Sequence, residues 1–493
     1  MELMETVLID KSLLQSHKQC ARRAWLEAAG TVLPQRSASA QAVLSEGEVV
    51  HRAARRKFAH AQRIGTMTLR DAADATARAL QGGAQGLLEA AFVGGRLGVR
   101  ADALVREGDS WVMTEFKSGS GIKDEHLDDC AIQYEAMRQA GMKVDIVRVC
   151  HPDTSLVMED ATRPESVLVT EDVTEPVKAR AERVVMWLSE CLGTLSGDEP
   201  DLKPGKQCSD PYDCPFKHHC GDVAEQKRPD DPQNLPSHAG VIKDLIASGV
   251  DSILEMPADA FSHERNKLVR DALLSGSAVV RQAFAKTMRG FAYPRAFMDF
   301  EAASMAIPRF PGMRPYQAVT FQWSVHSVEA RGAGPVHSEF IDLSGDDPRL
   351  GFATSLLAAT RAAKCVFVYS GYEKGRLKEL AEALPELAGE IEALIEKLID
   401  LLPLARRGYY HPKMCGSWSI KKVLPTLPAK EGVTYEELDG IADGMAAQAA
   451  YIEVTNATAV GEQRQTREKE LRAYCKVDTA GLLHFAECVE AYA

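Results

Sequence analysis

The spacing of apolar and polar positions changes period several times along the chain. The opening MELMETVLIDKSLLQSHKQCARRAWLEA reads as a strand followed by a helix, with Cys20 in the first turns of that helix. GEVVHRAARRKFAHA is a second helical stretch. From Gly95 the pattern shifts to two strand-like runs in RLGVRADALVREGDSWVMTEFKSG, joined at a Glu107-Gly108-Asp109 turn. A helix from about Leu127 to Gln139 and a strand in KVDIVRVC follow. This order predicts a mixed α/β domain that presents side chains at the edge of a sheet.

After Cys220 the periodicity breaks. EQKRPDDPQNLPSH is polar and carries three prolines, which suit neither a helix interior nor a central strand. Helical runs in VIKDLIASGV and HERNKLVRDALL come next, and FAYPRAFMDFEAAS then reads as a strand. Further on, KCVFVYSGYEKGRLKELAEAL is a strand, a turn and a helix, and LRAYCKVDTAGLLHFAECVEAY is helical. The expected organisation is one domain over 1–225, a linker and helical connector over 226–290, and a second domain over 291–493.

A chain of 493 residues has room for two or three domains. With 45% hydrophobic and 26% charged residues it is an ordinary globular chain, which excludes wholesale disorder. A net charge of -12 argues against coating nucleic acid by bulk positive charge, though not against a local basic groove. The 11 cysteines are an odd number and no secretory signal precedes them, so a reducing cytoplasm is expected, with no membrane span.

Candidate chemistry lies in both halves. Asp102 stands on one strand of the predicted hairpin, and Glu115 and Lys117 share a face of the other. Two carboxylates make a hard divalent-metal site, and a lysine beside them can orient water or stabilise charge on a phosphoryl oxygen, as phosphodiester hydrolysis requires. His51 adds a nitrogen donor that favours Mn²⁺. Cys208, Cys214 and Cys220 recur at equal spacing in CSDPYDCPFKHHC, and Cys20 is the natural fourth ligand. Zinc and a four-iron cluster both suit such a set, and His218 or His219 can replace one thiolate at zinc.

SLLQSHKQCARRAWLE, GEVVH, Ala101-Asp102, Glu115-Phe116-Lys117 and the cysteine loop together resemble the iron-sulfur, RecB-like PD-(D/E)xK nucleases, a group that includes CRISPR-associated adaptation and AddB-type nucleases. The resemblance covers about residues 8 to 222. It implies a PD-(D/E)xK core in which His51, Asp102 and Glu115 hold Mg²⁺ or Mn²⁺, Lys117 is the active-site lysine, and Cys20, Cys208, Cys214 and Cys220 hold a [4Fe-4S] cluster. These nucleases usually carry a glutamine followed four residues later by a tyrosine. Here Gln133 keeps its place, Tyr134 follows it directly, and Met137 occupies the tyrosine position.

In the second half Asp299 and Glu301 share a strand face, Glu373 stands at a strand-to-helix transition, and Tyr474 and Asp478 stack one turn apart. Acids so placed can form a two-metal centre, with Tyr474 positioning the attacking water. DFE, YSGYEKGRL and YCKVD resemble the three motifs of DEDDy exonucleases, which act 3′ to 5′ on an RNase H-like fold. By that resemblance Asp299, Glu301, Glu373 and Asp478 are metal ligands, with Glu373 replacing the usual aspartate. Asp400, in KLIDLLPLAR, matches an acidic residue that often precedes the third motif, with a structural role expected. Arg314, Tyr316, Gln322, Trp323, Tyr409, His411, Lys421 and Lys422 are candidates for phosphate contacts and base stacking.

Nearly the full chain resembles an uncharacterised bacterial family that often fuses an iron-sulfur RecB-like nuclease to an exonuclease-like domain. It implies a metal-dependent DNA nuclease that processes single-stranded or accessible ends in repair, recombination or defence. An RNA-processing exonuclease and a non-catalytic nucleic-acid-binding scaffold are the alternatives. No GxxxxGK[ST] loop is present to power unwinding.

Overall fold

The computed structural model describes residues 8–36, 38–65, 68–221, 228–435, 438, 440–441, 443–455 and 461–493. It is a mixed α/β protein of two units. The first comprises 1–225 with 304–317, and the second 226–303 with 318–493. The expected domain break at 225 falls within 222–227, outside the described residues.

The first unit is built on a seven-stranded sheet: β1 (Ile9–Asp10), β2 (Gln62–Arg63), β3 (Gly86–Gly94), β4 (Leu97–Glu107), β5 (Ser110–Phe116), β6 (Ile146–Pro152) and β7 (Leu168–Asp172). The order is β2-β3-β4-β5-β6-β7, with β1 pairing parallel to β4. β4 and β5 form the expected hairpin, and β5 runs parallel to β6. Successive side chains alternate between two buried faces. Leu87, Leu104 and Val149 join a core with Ile132 and Met137 of helix Asp124–Gln139, while Leu88, Ala103 and Cys150 join another with Val50 and Ala54 of helix Ala38–Arg55. Helices therefore cover both faces, and the strands read as nearly continuous apolar runs.

Cys20 departs from its expected place. The helical run is divided into Lys11–Gln19 and Ala21–Ala29, and Cys20 is the extended residue between them, with φ -162° and ψ 119°. It ends one helix and starts the next.

The second unit holds β8 (Val279–Val280), β9 (Arg295–Ser304), β10 (Ala318–Val328), β11 (Val336–Ile341), β12 (Cys365–Val368), β13 (Leu398–Asp400) and β14 (Tyr409–Tyr410). Five of these form a sheet in the order β11-β10-β9-β12-β13, mixed because β10 and β11 are antiparallel while β12 is parallel to both β9 and β13. Along β9, Ala296, Met298 and Phe300 pack with Phe352 and Leu377 of the flanking helices. Phe297 packs on the opposite side with Phe485 of the long helix Gly461–Glu490, and Ala303 packs with Leu471 and Tyr474 of the same helix. Asp299 and Glu301 fall in that second row. Two acids thus interrupt an apolar strand face beneath a helix.

The stretch expected to be a connector is not separate from this unit. Leu235, Ile242, Ile253, Leu268 and Phe284 contribute to its core, because their apolar faces find cover against Phe297, Tyr409 and Phe485. Residues 304–317, expected in the second domain, group with the first unit, where Met158 and Met313 form a β-bridge. No helix among the described residues is long and apolar enough to cross a membrane.

Candidate functional site

In the first unit β5 delivers Glu115 near its end, and Lys117 follows. Glu115 Oε1 accepts hydrogen bonds from Lys11 Nζ at 3.0 Å and Lys117 Nζ at 2.8 Å, and its Oε2 accepts from Gln133 Nε2 at 2.7 Å. Asp129, one turn before Gln133, receives the same three donors: Lys11 at 3.0 Å, Gln133 at 3.0 Å and Lys117. Asp102 Oδ2 accepts the Phe116 backbone N–H at 2.7 Å, and His51 Nδ1 lies 3.5 Å from Asp102 Oδ1. The expected constellation is gathered here, with Lys11 and Asp129 added.

Its electrostatics are nearly balanced within the chain. Burial disfavours both ammonium groups, yet Asp129 and Glu115 outweigh it and hold Lys11 and Lys117 above the usual lysine range. At Asp129 the two lysines overcome burial and hold the carboxyl below its usual range. Asp102 goes the other way: burial, then the neighbouring Glu115 charge, push it well up. Burial also lowers His51. His51, Asp102 and Glu115 have the donor chemistry for Mg²⁺ or Mn²⁺, provided Glu115 is released from its two lysines. Gln133 Oε1 is buried without a hydrogen-bond partner, an acceptor that a bound water would satisfy. Met137 is a fully buried core residue, and Tyr134 is partly buried against the same core.

Cys20, Cys208, Cys214 and Cys220 line a single small cavity of about 20 Å³, together with Arg22, Arg23 and Phe216. Gln19 Nε2 donates to the carbonyls of Gln207 at 2.7 Å and Tyr212 at 2.6 Å, tying the cysteine loop to the end of the first helix. Burial raises Cys214 and Cys220. Arg23 and Arg22 respectively oppose that rise, and the facing thiols of Cys20 and Cys208 add to it. His219 is directed to Glu199 at 3.0 Å. Four thiols around one cavity have the donor chemistry of tetrahedral zinc and of a four-iron cluster alike.

A cavity of about 540 Å³ links these two places. It is lined by Lys117, His126 and Asp129 at one side, by Pro211, Tyr212 and Pro215 of the cysteine loop at the other, and by Lys18, Arg23 and Arg36. Tyr212 is 53% exposed.

The second unit assembles its four acids from three segments. Asp299 and Glu301 come from β9, Glu373 from the first turn of helix Tyr372–Ala383, and Asp478 from the middle of the long helix. Glu301, Glu373 and Asp478 are buried. Burial, then the Asp478 and Glu373 charges, push Asp299 well up, while burial and Asp478 do the same to Glu301. Burial raises Glu373 to about 7 and Asp478 to about 6. Asp299 and Glu373 each add negative charge to the other's surroundings, and Glu373 Oε2 is buried without a hydrogen-bond partner. Tyr435 and Tyr474 both direct their hydroxyls to Asp478. Lys421 Nζ lies over the Tyr474 ring at 4.9 Å and the Tyr435 ring at 5.6 Å, and its charge opposes the rise at Glu301 and Asp478. Clustered carboxylates with an orphaned buried oxygen fit divalent cations, and Asp299, Glu301, Glu373 and Asp478 are the residues that would hold them.

Several other candidates spend their polar atoms inside the protein. Gln322 Nε2 donates to the Leu471 carbonyl at 2.9 Å, Trp323 Nε1 to Ser355 Oγ at 3.1 Å, and the Tyr409 hydroxyl meets Thr426 at 2.7 Å. All three residues are buried, so they build the core instead of facing a strand of nucleic acid. Arg314 reaches the Ser155 carbonyl, half-buried Tyr316 packs against a first-unit core, and His411 accepts the Lys413 N–H at 3.0 Å. Asp400 accepts the Leu402 N–H at 2.9 Å and caps a helix.

Four residues of the two centres went unnoticed in the sequence: Lys11, Asp129, Tyr435 and Cys475. Asp129 stands four residues before Gln133, a spacing that puts both on one helix face. Cys475 sits inside the YCKVD motif. Lys11 and Tyr435 carry no local signal, since their partners lie 104 and 43 residues away.

A family model described as a domain of unknown function, DUF2779, matches residues 296–419. The match includes Asp299, Glu301 and Glu373 and stops before Tyr474 and Asp478. No curated protein sequence matches the chain.

Proposed function

We propose that the chain is a metal-dependent nuclease that hydrolyses phosphodiester bonds, acting on DNA with single-stranded or accessible ends. The observation that carries this reading is the convergence of Asp299, Glu301, Glu373 and Asp478, drawn from segments up to 179 residues apart, on one buried acidic centre beside two tyrosine hydroxyls. So many buried carboxylates repel one another, and their arrangement is reasonable only where cations relieve it.

In this reading the second unit is an RNase H-like 3′ to 5′ exonuclease of DEDDy type, and the first a RecB-like PD-(D/E)xK nuclease. Divalent ions would supply charge neutralisation and an activated water at each centre. The chain's own groups do the rest. Tyr474 and Tyr435 hold Asp478 in place, and Tyr474 is positioned to orient water. Lys117 stabilises charge developing on a phosphoryl oxygen, and Gln133 fixes Glu115. Cys20, Cys208, Cys214 and Cys220 would hold a [4Fe-4S] cluster, a reading supported by the four thiols lining one cavity. The cavity between Lys117 and Tyr212 has the cations and the exposed aromatic ring suited to a single strand.

The test is anaerobic full-length protein assayed on 5′- and 3′-labelled DNA and RNA, single- and double-stranded, with Mg²⁺ or Mn²⁺. Asp299→Ala and Lys117→Ala should each remove one set of products, with a loss of about 10²–10³ in rate. If neither substitution alters metal-dependent cleavage, both assignments fail. Cleavage of RNA alone selects RNA processing, and binding without any metal-dependent product selects a scaffold. Iron and acid-labile sulfide absent, with zinc in their place, would remove the cluster.

A further inference from the structure

The second acidic centre contains a sulfur. Cys475 is fully buried on the long helix, between Tyr474 and Asp478, and its Sγ lies 3.8 Å from the Asp299 carbonyl oxygen and 3.9 Å from Asp299 Oδ2. Its sulfur and one carboxylate oxygen each from Asp299 and Glu301 all lie within 4.8 Å of one another. An oxygen and a sulfur bound to one tetrahedral ion stand about 3.5 Å apart, so Cys475 Sγ and Asp299 Oδ2 need close by only a few tenths of an ångström to share an ion, with Glu301 near enough to join them. A second, independent feature marks the same spot as a place for a cation: Glu373, whose charge acts on Asp299, keeps a buried oxygen without a hydrogen-bond partner.

We propose that Cys475 is a direct donor to the ion held by Asp299 and Glu301, which makes this ion position thiophilic. The inference deepens the metal-dependent reading of this centre and rests on it. The chemical consequence follows from donor softness. Two carboxylates alone are a hard set suited to Mg²⁺, whereas adding a thiolate shifts preference toward Zn²⁺ and Cd²⁺. As the ion binds, the sulfur–hydrogen bond breaks, its electron pair passes to the metal–sulfur bond, and the proton leaves to solvent. No oxidant or reductant is needed.

Helix geometry supports the assignment. Cys475 and Asp478 are three residues apart and face the same side, so a helix that delivers Asp478 to the centre delivers the Cys475 sulfur as well. A merely apolar role for a small buried side chain would be met equally by alanine or valine, and would not require sulfur at this distance from two carboxylates.

The test reads the metal–sulfur bond itself. Full-length anaerobic protein is titrated with Cd²⁺, and the ultraviolet thiolate-to-cadmium absorption is compared among wild type, Cys475→Ser and Asp299→Asn. Thiolates of the four-cysteine pocket contribute alike to all three, so they cancel in the differences. The expected result is a wild-type absorption exceeding both variants by the same amount, displaced by Zn²⁺ and resistant to Mg²⁺. Cys475→Ser should also lower the preference for Zn²⁺ over Mg²⁺ by about tenfold or more. Equal spectra from wild type and Cys475→Ser overturn the proposal, as does an excess that survives Asp299→Asn. The outcome is separable from that of the nuclease reading. Asp299-dependent cleavage without the thiolate absorption removes the sulfur and keeps the nuclease; the absorption without cleavage does the reverse.

Discussion

The two acidic centres solve the same electrostatic problem in different ways. In the first, Asp102, Glu115 and Asp129 share their space with Lys11 and Lys117, and Glu115 and Asp129 are each held by both ammonium groups. In the second, Asp299, Glu301, Glu373 and Asp478 face one another, with Lys421 acting from above two tyrosine rings. The carboxyls of the second centre are all raised, whereas in the first Asp129 is lowered. A centre whose cations are part of the chain is stable without ions. A centre that lacks them stores repulsion, which added ions release.

The largest test of this contrast is Lys11→Met. Removing one partner of a buried ion network leaves Glu115 and Asp129 under-compensated, so chemical denaturation should show a loss of about 3–5 kcal/mol. An unchanged midpoint would break the comparison on the first side. Next in size is the response to Mn²⁺. At about 100 times its dissociation constant, an ion bound only by the native state adds about 2.7 kcal/mol, and the second centre's share of this gain should be lost in Asp299→Asn. A gain as large in that variant as in the wild type would mean that the second centre holds no ion.

Smaller still, and of opposite sign to Lys11→Met, Asp299→Asn should stabilise the metal-free protein by about 1 kcal/mol, because it removes one of the clustered charges. Destabilisation there would mean that Asp299 is held by attraction and not by constraint. The smallest effect sharpens the first centre alone. Burial, then the Lys117 charge, lower His126 to about 4. The unfolded chain takes up that proton near pH 6.5, so the contribution of His126 to stability is complete above pH 6.5 and is lost as pH falls toward 4. His126→Asn should flatten this part of the stability curve, as followed by urea melts across that range.

Much of the chemistry was legible in the sequence because it is local. Glu115 and Lys117 lie two residues apart at the end of a strand, Asp299 and Glu301 likewise, and Tyr474 and Asp478 lie four apart on a helix, so each pair shares a side whatever the fold does. The hairpin from Leu97 to Phe116 followed from alternation and a glycine turn. What was not legible is non-local. Lys11 has no signal in its neighbourhood of the sequence, and only the fold brings it to Glu115, 104 residues away. Gln322 and Trp323 looked like strand-binding residues, but every side chain of β10 apart from Ser327 is buried. The segment 226–290 looked like a tether because of its prolines, while its later helices carry the apolar faces that the second core requires.

The sequence alone determined part of each centre, the carboxylates, lysine and cysteines that lie in short motifs, and the short-range geometry that strand and helix periods impose; Lys11, Asp129, Tyr435 and Cys475 were added by the fold. Tertiary structure decided how those charges are compensated. Coulomb energy depends on distance and on exclusion of water, and both are set when segments more than 100 residues apart pack together. That is why Asp129 and Asp299, the same side chain, are held on opposite sides of the ordinary carboxyl range, one between two lysines and the other among three acids.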